Sequence, residues 1–211
     1  MKLILASNNP NKLREFRQLV RDLPIEVVSQ REAGCDFEVE ENGLTFEENA
    51  FLKASAVTKA TGCAAVADDS GLCVDALNGE PGVYTARWYL TDEGAQEAKT
   101  EMENFARNRA KALRELKDKD NRGCQFRTVI TLILLNGDAA LNGENGGMIQ
   151  VEGVVRGRMA TEEYGEGGFG YDPIFIPEGY DKTFGELPAE LKNTISHRAR
   201  ALAELVKVLH D

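Results

Sequence analysis

Imidazole and thiol are scarce in this chain, and the scarcity excludes whole classes of chemistry. Its 211 residues include two histidines, His197 and His210, and four cysteines, Cys35, Cys63, Cys73 and Cys124, with no C-x-x-C pair among them. Zinc centres are built from clustered thiolates and imidazoles at short spacings, so none is expected here, and the cytoplasm is the default compartment. No apolar run approaches the roughly 18 to 20 residues that cross a bilayer. The opening MKLILASNNPNK turns polar after a few apolar residues, so a soluble chain without a targeting segment is expected. Positive charge is also short, with 25 Lys and Arg against 35 Asp and Glu for a net charge of −10. Nucleic acid and anionic membrane reward clustered cations, and neither is an expected partner. A polyanionic ligand would have to be met by a few local cations or by a metal ion. The chain has no internal repeat and no linker that marks a boundary. Residues 1–211 are therefore expected to form one domain, whether a single large core or two intimately packed lobes.

What is present is a mixture of strand and helix patterns. KLILAS reads as a strand, SNNPN as a turn, and Leu13, Phe16, Leu19, Val20 and Leu23 recur at helical spacing. IEVVSQ reads as a second strand. Thr45 with Glu48 three residues later fits a capping box that opens a helix running to Gly62. CAAVAD is a third strand, followed by an irregular stretch punctuated by Gly and Pro. The residues from about Thr91 to Lys117 are strong helix formers and predict one long, mostly exposed helix. CQFRTVITLILL reads as a central strand, with its partner beyond the hairpin signal Asn136-Gly137. MIQVEGVVRGRM adds an extended segment, and Ala199, Leu202, Leu205, Val206 and Leu209 give a last helix its apolar face. The fold class is α/β with a mixed sheet.

Four constellations can carry chemistry. In SNNPNK, Ser7, Asn8 and Asn9 occupy a strand-to-helix turn and Lys12 lies in the first helical turn. Free N–H groups and a lysine there favour phosphate, although Ser and Asn serve equally as helix caps. The acids fall in three pairs, Glu40 with Glu41, Glu47 with Glu48, and Asp68 with Asp69. A hard ion such as magnesium takes one or two carboxylates with phosphate and water. Glu48 is accounted for by the capping box, and Glu40 and Glu41 also read as loop acids. Asp68 and Asp69 follow a buried-looking strand and demand partners, because a buried unpaired carboxylate is costly or stays protonated. Neighbouring side chains on a strand face opposite ways, so the two are not equivalent. In GEGGFGYDPIF, Phe169 and Tyr171 flank Gly170 and precede Asp172, a glycine-bared backbone beside aromatic faces that suits a flat ligand. In KNTISHRARAL, Ser196 can cap the last helix and place His197 and Arg198 in its first turn, where cations oppose the helix dipole unless an anion or polar ligand compensates.

Taken together, SNNPNK, TFEENAFLKA, ADDSGL, GEPGVYTARW, GFGYDPIF and ISHRARAL resemble, in content and order, the motifs of the inosine triphosphate pyrophosphatase family, enzymes that hydrolyse non-standard purine nucleoside triphosphates. The resemblance implies an elongated two-lobed fold around a long mixed β-sheet with flanking helices, the nucleotide in the cleft between lobes, and a homodimer. It implies conversion of ITP, dITP or XTP to the monophosphate and pyrophosphate with magnesium. Carried over by motif, Ser7, Asn8, Asn9 and Lys12 hold the triphosphate and Lys53 adds a phosphate contact. Glu41 and Asp69 serve the metal, with Glu40 a neighbouring candidate. Asp69 is the proton acceptor, with Asp68 beside it, turned towards Lys53 or a second metal-bound water, and Ser70 near the substrate. Phe169, Gly170 and Tyr171 border the base, Tyr171 standing where relatives can carry tryptophan. Asp172, Lys192, His197 and Arg198 face the base's polar edge and the nearby sugar or phosphate. Two alternatives stay open: a related pyrophosphatase for other modified nucleotides, and a non-catalytic nucleotide sensor.

Overall fold

A computed structural model describes residues 2–135 and 147–210. The strands are β1 (Lys2–Leu5), β2 (Glu26–Ser29), β3 (Ala64–Val74), β4 (Gly123–Leu134), β5 (Gly147–Met159) and β6 (Phe175–Pro177). The helices are α1 (Pro10–Leu19), α2 (Phe46–Thr61), α3 (Glu101–Glu115), α4 (Ala189–Ile195) and α5 (His197–His210). The strands form one mixed sheet in the order β2-β1-β3-β4-β5-β6. β1 pairs in parallel with β2 and β3, and β5 pairs antiparallel with β6. The expected hairpin signal at Asn136-Gly137 and most of the following glycine-rich stretch lie outside the described residues.

The chain divides into two compact units, Met1–Asp69 with Thr128–Gly153 and Arg200–Asp211, and Ser70–Arg127 with Val154–Ala199, so that β3, β4 and β5 each give residues to both. In the first unit the sheet carries a helix layer on each face, and strand alternation sorts the core. Leu3, Leu5, Ala64 and Val66 pack with Phe16 of α1, with Val20 just past its end, and with Leu202 and Leu205 of α5. Ile4, Ala6, Ala65 and Ala67 face the other way, onto Ala54 and Val57 of α2. The capping box forms as expected: Thr45 Oγ1 accepts from Glu48 N and Glu48 Oε2 accepts from Thr45 N. Helix α2 ends at Gly62, in the left-handed conformation that suits glycine.

β3 runs further than the sequence predicts. Its pairing with β1 stops at Val66, but the strand continues through Asp68 and Asp69 to Val74. The two acids therefore sit within a strand, just past the end of its parallel neighbour.

The second unit is built on Leu72, Val74, Trp88, Phe126, Phe175 and Phe184, with Ala112 of α3 and Leu116, which caps its C-terminus, packed among them. The single helix expected over 91–117 is only α3: a short 3-10 turn (Trp88–Thr91) ends where it was expected to begin, and residues 92–100 are non-helical. Thr100 caps α3, its hydroxyl accepting from Glu103 N, which starts the helix ten residues late. Nor is α3 mostly exposed. Asn108 accepts from Tyr89 N and donates to Ala86 O, while buried Lys111 donates to Trp88 O and pairs with Asp92. Polar residues that looked like solvated surface are spent on satisfying the irregular backbone of 86–92.

Candidate active site

The turn after β1 is organised by its own side chains. Asn9 caps α1, its Oδ1 accepting from Lys12 N at 3.3 Å, and Asn9 N donates to Ser7 Oγ at 3.1 Å. Asn8 Oδ1 accepts from Arg31 N, which ties the turn to the loop after β2. Pro10 stands at the first helical position, where its missing N–H costs nothing. The cap aims Lys12 back across the sheet end, and its Nζ lies 2.8 Å from Asp68 Oδ1.

Asp68 and Asp69 are both buried and take different partners. By strand alternation Asp68 extends the Ala64 and Val66 row, on the α1 face, and meets Lys12 of that helix. Asp69 extends the Ala65 and Ala67 row, on the α2 face, where Lys53 Nζ lies 2.9 Å from its Oδ1. Of the two partners the sequence offers Asp68, Lys53 or a second metal-bound water, the structure overturns the first: Asp68 pairs with Lys12, because Lys53 rises from the helix on the other face. Lys53 also reaches Glu41 Oε1 at 3.2 Å, whereas Glu40 is exposed on the loop. Of the two neighbouring glutamates, Glu41 is the one brought to Asp69.

One ammonium thus serves several carboxylates, and the titration shifts follow. Burial opposes the charge of Lys53, but Asp69, Glu41 and Asp68 outweigh it and hold its pKa above the ordinary lysine value. Asp69 is pushed up to about 6: burial dominates, Lys53 offsets only part of it, and the nearby Glu41 carboxylate adds to the rise. The carboxyl is held at a pKa where it can take up and release a proton near neutrality.

The second unit gathers the aromatic turn. Phe169 is 46% exposed. The Lys192 ammonium lies 4.6 Å from its ring centroid and pairs with Asp172, whose Oδ2 also accepts from Phe169 N at 2.7 Å. Burial raises the Asp172 pKa, against the pull of Lys192, the Phe169 N–H and Arg198. Gly168 has φ +76°, and a Cβ there would overlap the Asp172 carboxylate, so glycine is required. Tyr171 departs from the expected base-bordering role: it is 4% exposed, packs in the core, and its hydroxyl donates to Thr85 O at 3.0 Å. Asp172 and Lys192 are likewise an ion pair with each other rather than two separate groups turned to a ligand. Ser196 caps α5, its Oγ accepting from Ala199 N. His197 stacks on Phe126 with centroids 4.8 Å apart, and both His197 and Arg198 are buried. Ser70 is half-buried in β3.

Sequence reasoning missed Asn49. It is fully buried, its Oδ1 accepting from Gly43 N at 2.8 Å and its Nδ2 reaching Asp69 Oδ2 at 3.4 Å. Asn49 and Lys53 lie four residues apart on α2, so one helix face presents both groups to Asp69. A polar residue at that spacing from Lys53 on an otherwise apolar face was the available signal. Phe105 and Arg109 of α3, which touch the aromatic turn, left no comparable trace.

A model of the Ham1 family matches residues 3–208. The dITP/XTP pyrophosphatase of Aquifex aeolicus is 45% identical over 211 residues, covering 100% of this chain and 98% of that protein. That of Flavobacterium johnsoniae is 42% identical over 209 residues, covering 99% and 98%. Among solved structures, the Staphylococcus aureus Ham1 protein matches with a TM-score of 0.84 at 40% identity, covering 100% of this chain and 98% of that one.

Proposed function

The chain belongs to the Ham1 family, and from that premise we propose that it hydrolyses dITP, XTP and ITP to the nucleoside monophosphate and pyrophosphate. The observation that carries the reading is the arrangement at β3, where Asp68 meets Lys12 and Asp69 shares Lys53 with Glu41. Two lysines beside converging carboxylates suit a polyanionic phosphate chain that arrives with a divalent cation.

Among the described residues there is no group of three or more His, Cys, Asp or Glu that could hold a metal by itself. A pair is enough for magnesium, which binds through one or two carboxylates plus substrate phosphates. Asp69 and Glu41 fit that demand: they are close enough for one to raise the pKa of the other, and a single ammonium compensates both. Magnesium held there would neutralise charge developing on the phosphate oxygens. Glu40, exposed on the loop, is not needed for it.

In this reading Lys12 and Lys53 orient the triphosphate, with Ser7, Asn8 and Asn9 shaping the turn that presents Lys12. Water attacks the α-phosphorus in line, pyrophosphate leaves, and Asp69 accepts the proton from the attacking water. Burial holds the Asp69 pKa above that of an ordinary aspartate, at about 6 in the metal-free protein, so the carboxylate is a better base than an ordinary aspartate and still ionised at neutral pH before the metal binds. Asp68 holds Lys12 in place. Phe169 offers its ring to the purine, while Gly170, Asp172 and Lys192 fix that ring. Donors from His197 or Arg198 suit the 6-oxo group of hypoxanthine or xanthine and oppose the amino group of adenine. A site built on such bonds rejects the wrong base strongly, because buried groups are left unpaired. The single domain over residues 1–211, the homodimer and the cytoplasmic setting belong to the same reading.

Turnover of ITP, dITP, XTP, ATP, GTP and modified pyrimidine triphosphates, measured side by side with magnesium, tests it. The expected result is pyrophosphate and monophosphate from the first three, and little from ATP or GTP. Orthophosphate release overturns the reaction class. Preference for a modified pyrimidine points to the related pyrophosphatases, and binding without turnover to a sensor.

A further inference from the structure

Helix α3 touches the aromatic turn at two points. The Phe105 ring lies 6.3 Å, centroid to centroid, from that of Phe169, inclined at 41°. Four residues on, Arg109 Nη1 donates to the carbonyl oxygen of Gly170 at 2.9 Å. Positions four apart share a helix face, so one rigid element sets both contacts. The guanidinium is itself fixed. Its side chain is 11% exposed, and Nε lies 2.9 Å from Glu163 Oε1, in the segment that leads into the turn. The Glu163 carboxylate meets this edge as an ion pair without a well-aligned hydrogen bond, and it draws the guanidinium, a rigid planar fork, to where its other edge meets Gly170.

The turn needs such a hold. Gly170 has φ +60° and Gly168 φ +76°. A glycine backbone has little preference of its own, and the peptide plane joining Gly170 to Tyr171 turns unless its carbonyl is engaged. Phe169 is the adjoining residue, and its ring has no polar atom with which to anchor itself. Tyr171, on the other side, is already tied through its hydroxyl to Thr85. Asp172 holds the Phe169 backbone, its Oδ2 accepting from Phe169 N and its N–H donating to Phe169 O, and the direction of the ring depends further on the backbone at Gly170 and on the groups packed against the ring, which include Phe105 and Lys192.

We propose that Arg109, acting through the Gly170 carbonyl and aided by Phe105, is a positioning residue for base recognition: it holds Phe169 in the orientation that receives the purine. The proposal rests on the reading of Phe169 as the base platform. Arg109 touches no reacting group, so its loss falls on affinity for the base end of the substrate and spares both the phosphate end and the chemical step. Arg109→Met keeps the apolar stem and removes the charge-assisted bond, and Glu163, 43% exposed on its side chain, is then left to solvent.

The experiment is steady-state hydrolysis of ITP by wild type, Arg109→Met, Arg109→Lys and Glu163→Gln, with inorganic tripolyphosphate as a competitive inhibitor that has no base. For Arg109→Met, KM for ITP is expected to rise about tenfold, the loss of one charge-assisted bond, with kcat within about threefold. Its inhibition constant for tripolyphosphate stays at the wild-type value. Arg109→Lys, which keeps a cation, falls between the two, and Glu163→Gln shifts KM the same way by a smaller factor. An unchanged KM in both Arg109→Met and Glu163→Gln overturns the proposal. So does a parallel loss of ITP and tripolyphosphate binding, which marks a merely structural residue. If Arg109→Met fails to fold, Glu163→Gln alone decides. Wild-type protein that releases no pyrophosphate from ITP refutes the functional reading instead, so the two failures are distinguishable.

Discussion

Asp69→Asn is expected to lower ITP turnover by at least about 10³-fold while nucleotide still binds, as befits loss of a general base and of one metal carboxylate together. The same substitution is expected to stabilise the fold at pH 8. Asp69 has an ordinary pKa of 3.8 and a folded one of about 6. A group raised in this way contributes stability below about pH 4, and the contribution is lost as pH rises through about 6. Above that range the native state carries a buried charge that the unfolded chain would hydrate. Asparagine carries none, and the gain is on the order of 1–3 kcal/mol. Thermal melts of the two proteins should coincide near pH 4 and separate by pH 7, the variant melting higher. A variant that melts lower at pH 8 means that the Lys53 pair, not burial, dominates Asp69. Turnover left at the wild-type rate removes Asp69 from the mechanism.

Lys53→Met acts in the opposite direction on stability. Lys53 is the ammonium shared by Asp69 and Glu41, and its side chain is 13% exposed. Removing one partner of a buried ion pair costs about 3–5 kcal/mol, because the other charge is left uncompensated. Without Lys53 the Asp69 pKa is driven further up, so Asp69 escapes part of the cost by staying protonated and the base is lost at neutral pH. Melting about 6–12 °C below wild type corresponds to the lower end of that range for a chain of this size. Turnover per KM should fall by at least about a hundredfold, since a phosphate contact and the ionised base are lost together. Magnesium should restore more melting temperature to the variant than it adds to wild type, by supplying the missing positive charge between the carboxylates. A variant as stable as wild type means that the three groups do not share one buried cluster.

What could be read in advance was local. Thr45 and Glu48 announced their capping box because both partners lie within four residues, and the strand and helix of the first turn followed from apolar spacing alone. The non-equivalence of Asp68 and Asp69 was also legible, since alternation on a strand is a property of the backbone. Which lysine each would meet was not, because that depends on which helix covers which face: α1 with Lys12 on one, α2 with Lys53 on the other. The same limit hid the use of Lys111 and Asn108, whose partners lie about twenty residues upstream in an irregular segment. Tyr171 looked like a second aromatic wall because sequence shows a ring but not its direction. Its hydroxyl bond to Thr85, 86 residues away, is what turns it into the core.

In the proposed reaction ITP is cut between the α- and β-phosphorus by attack of water at the α-phosphorus. Hydrolysis in ¹⁸O-enriched water, with products analysed by mass spectrometry, tests this directly. The label should appear in IMP, with pyrophosphate unlabelled; label in pyrophosphate, or in orthophosphate released from the γ end, would contradict it.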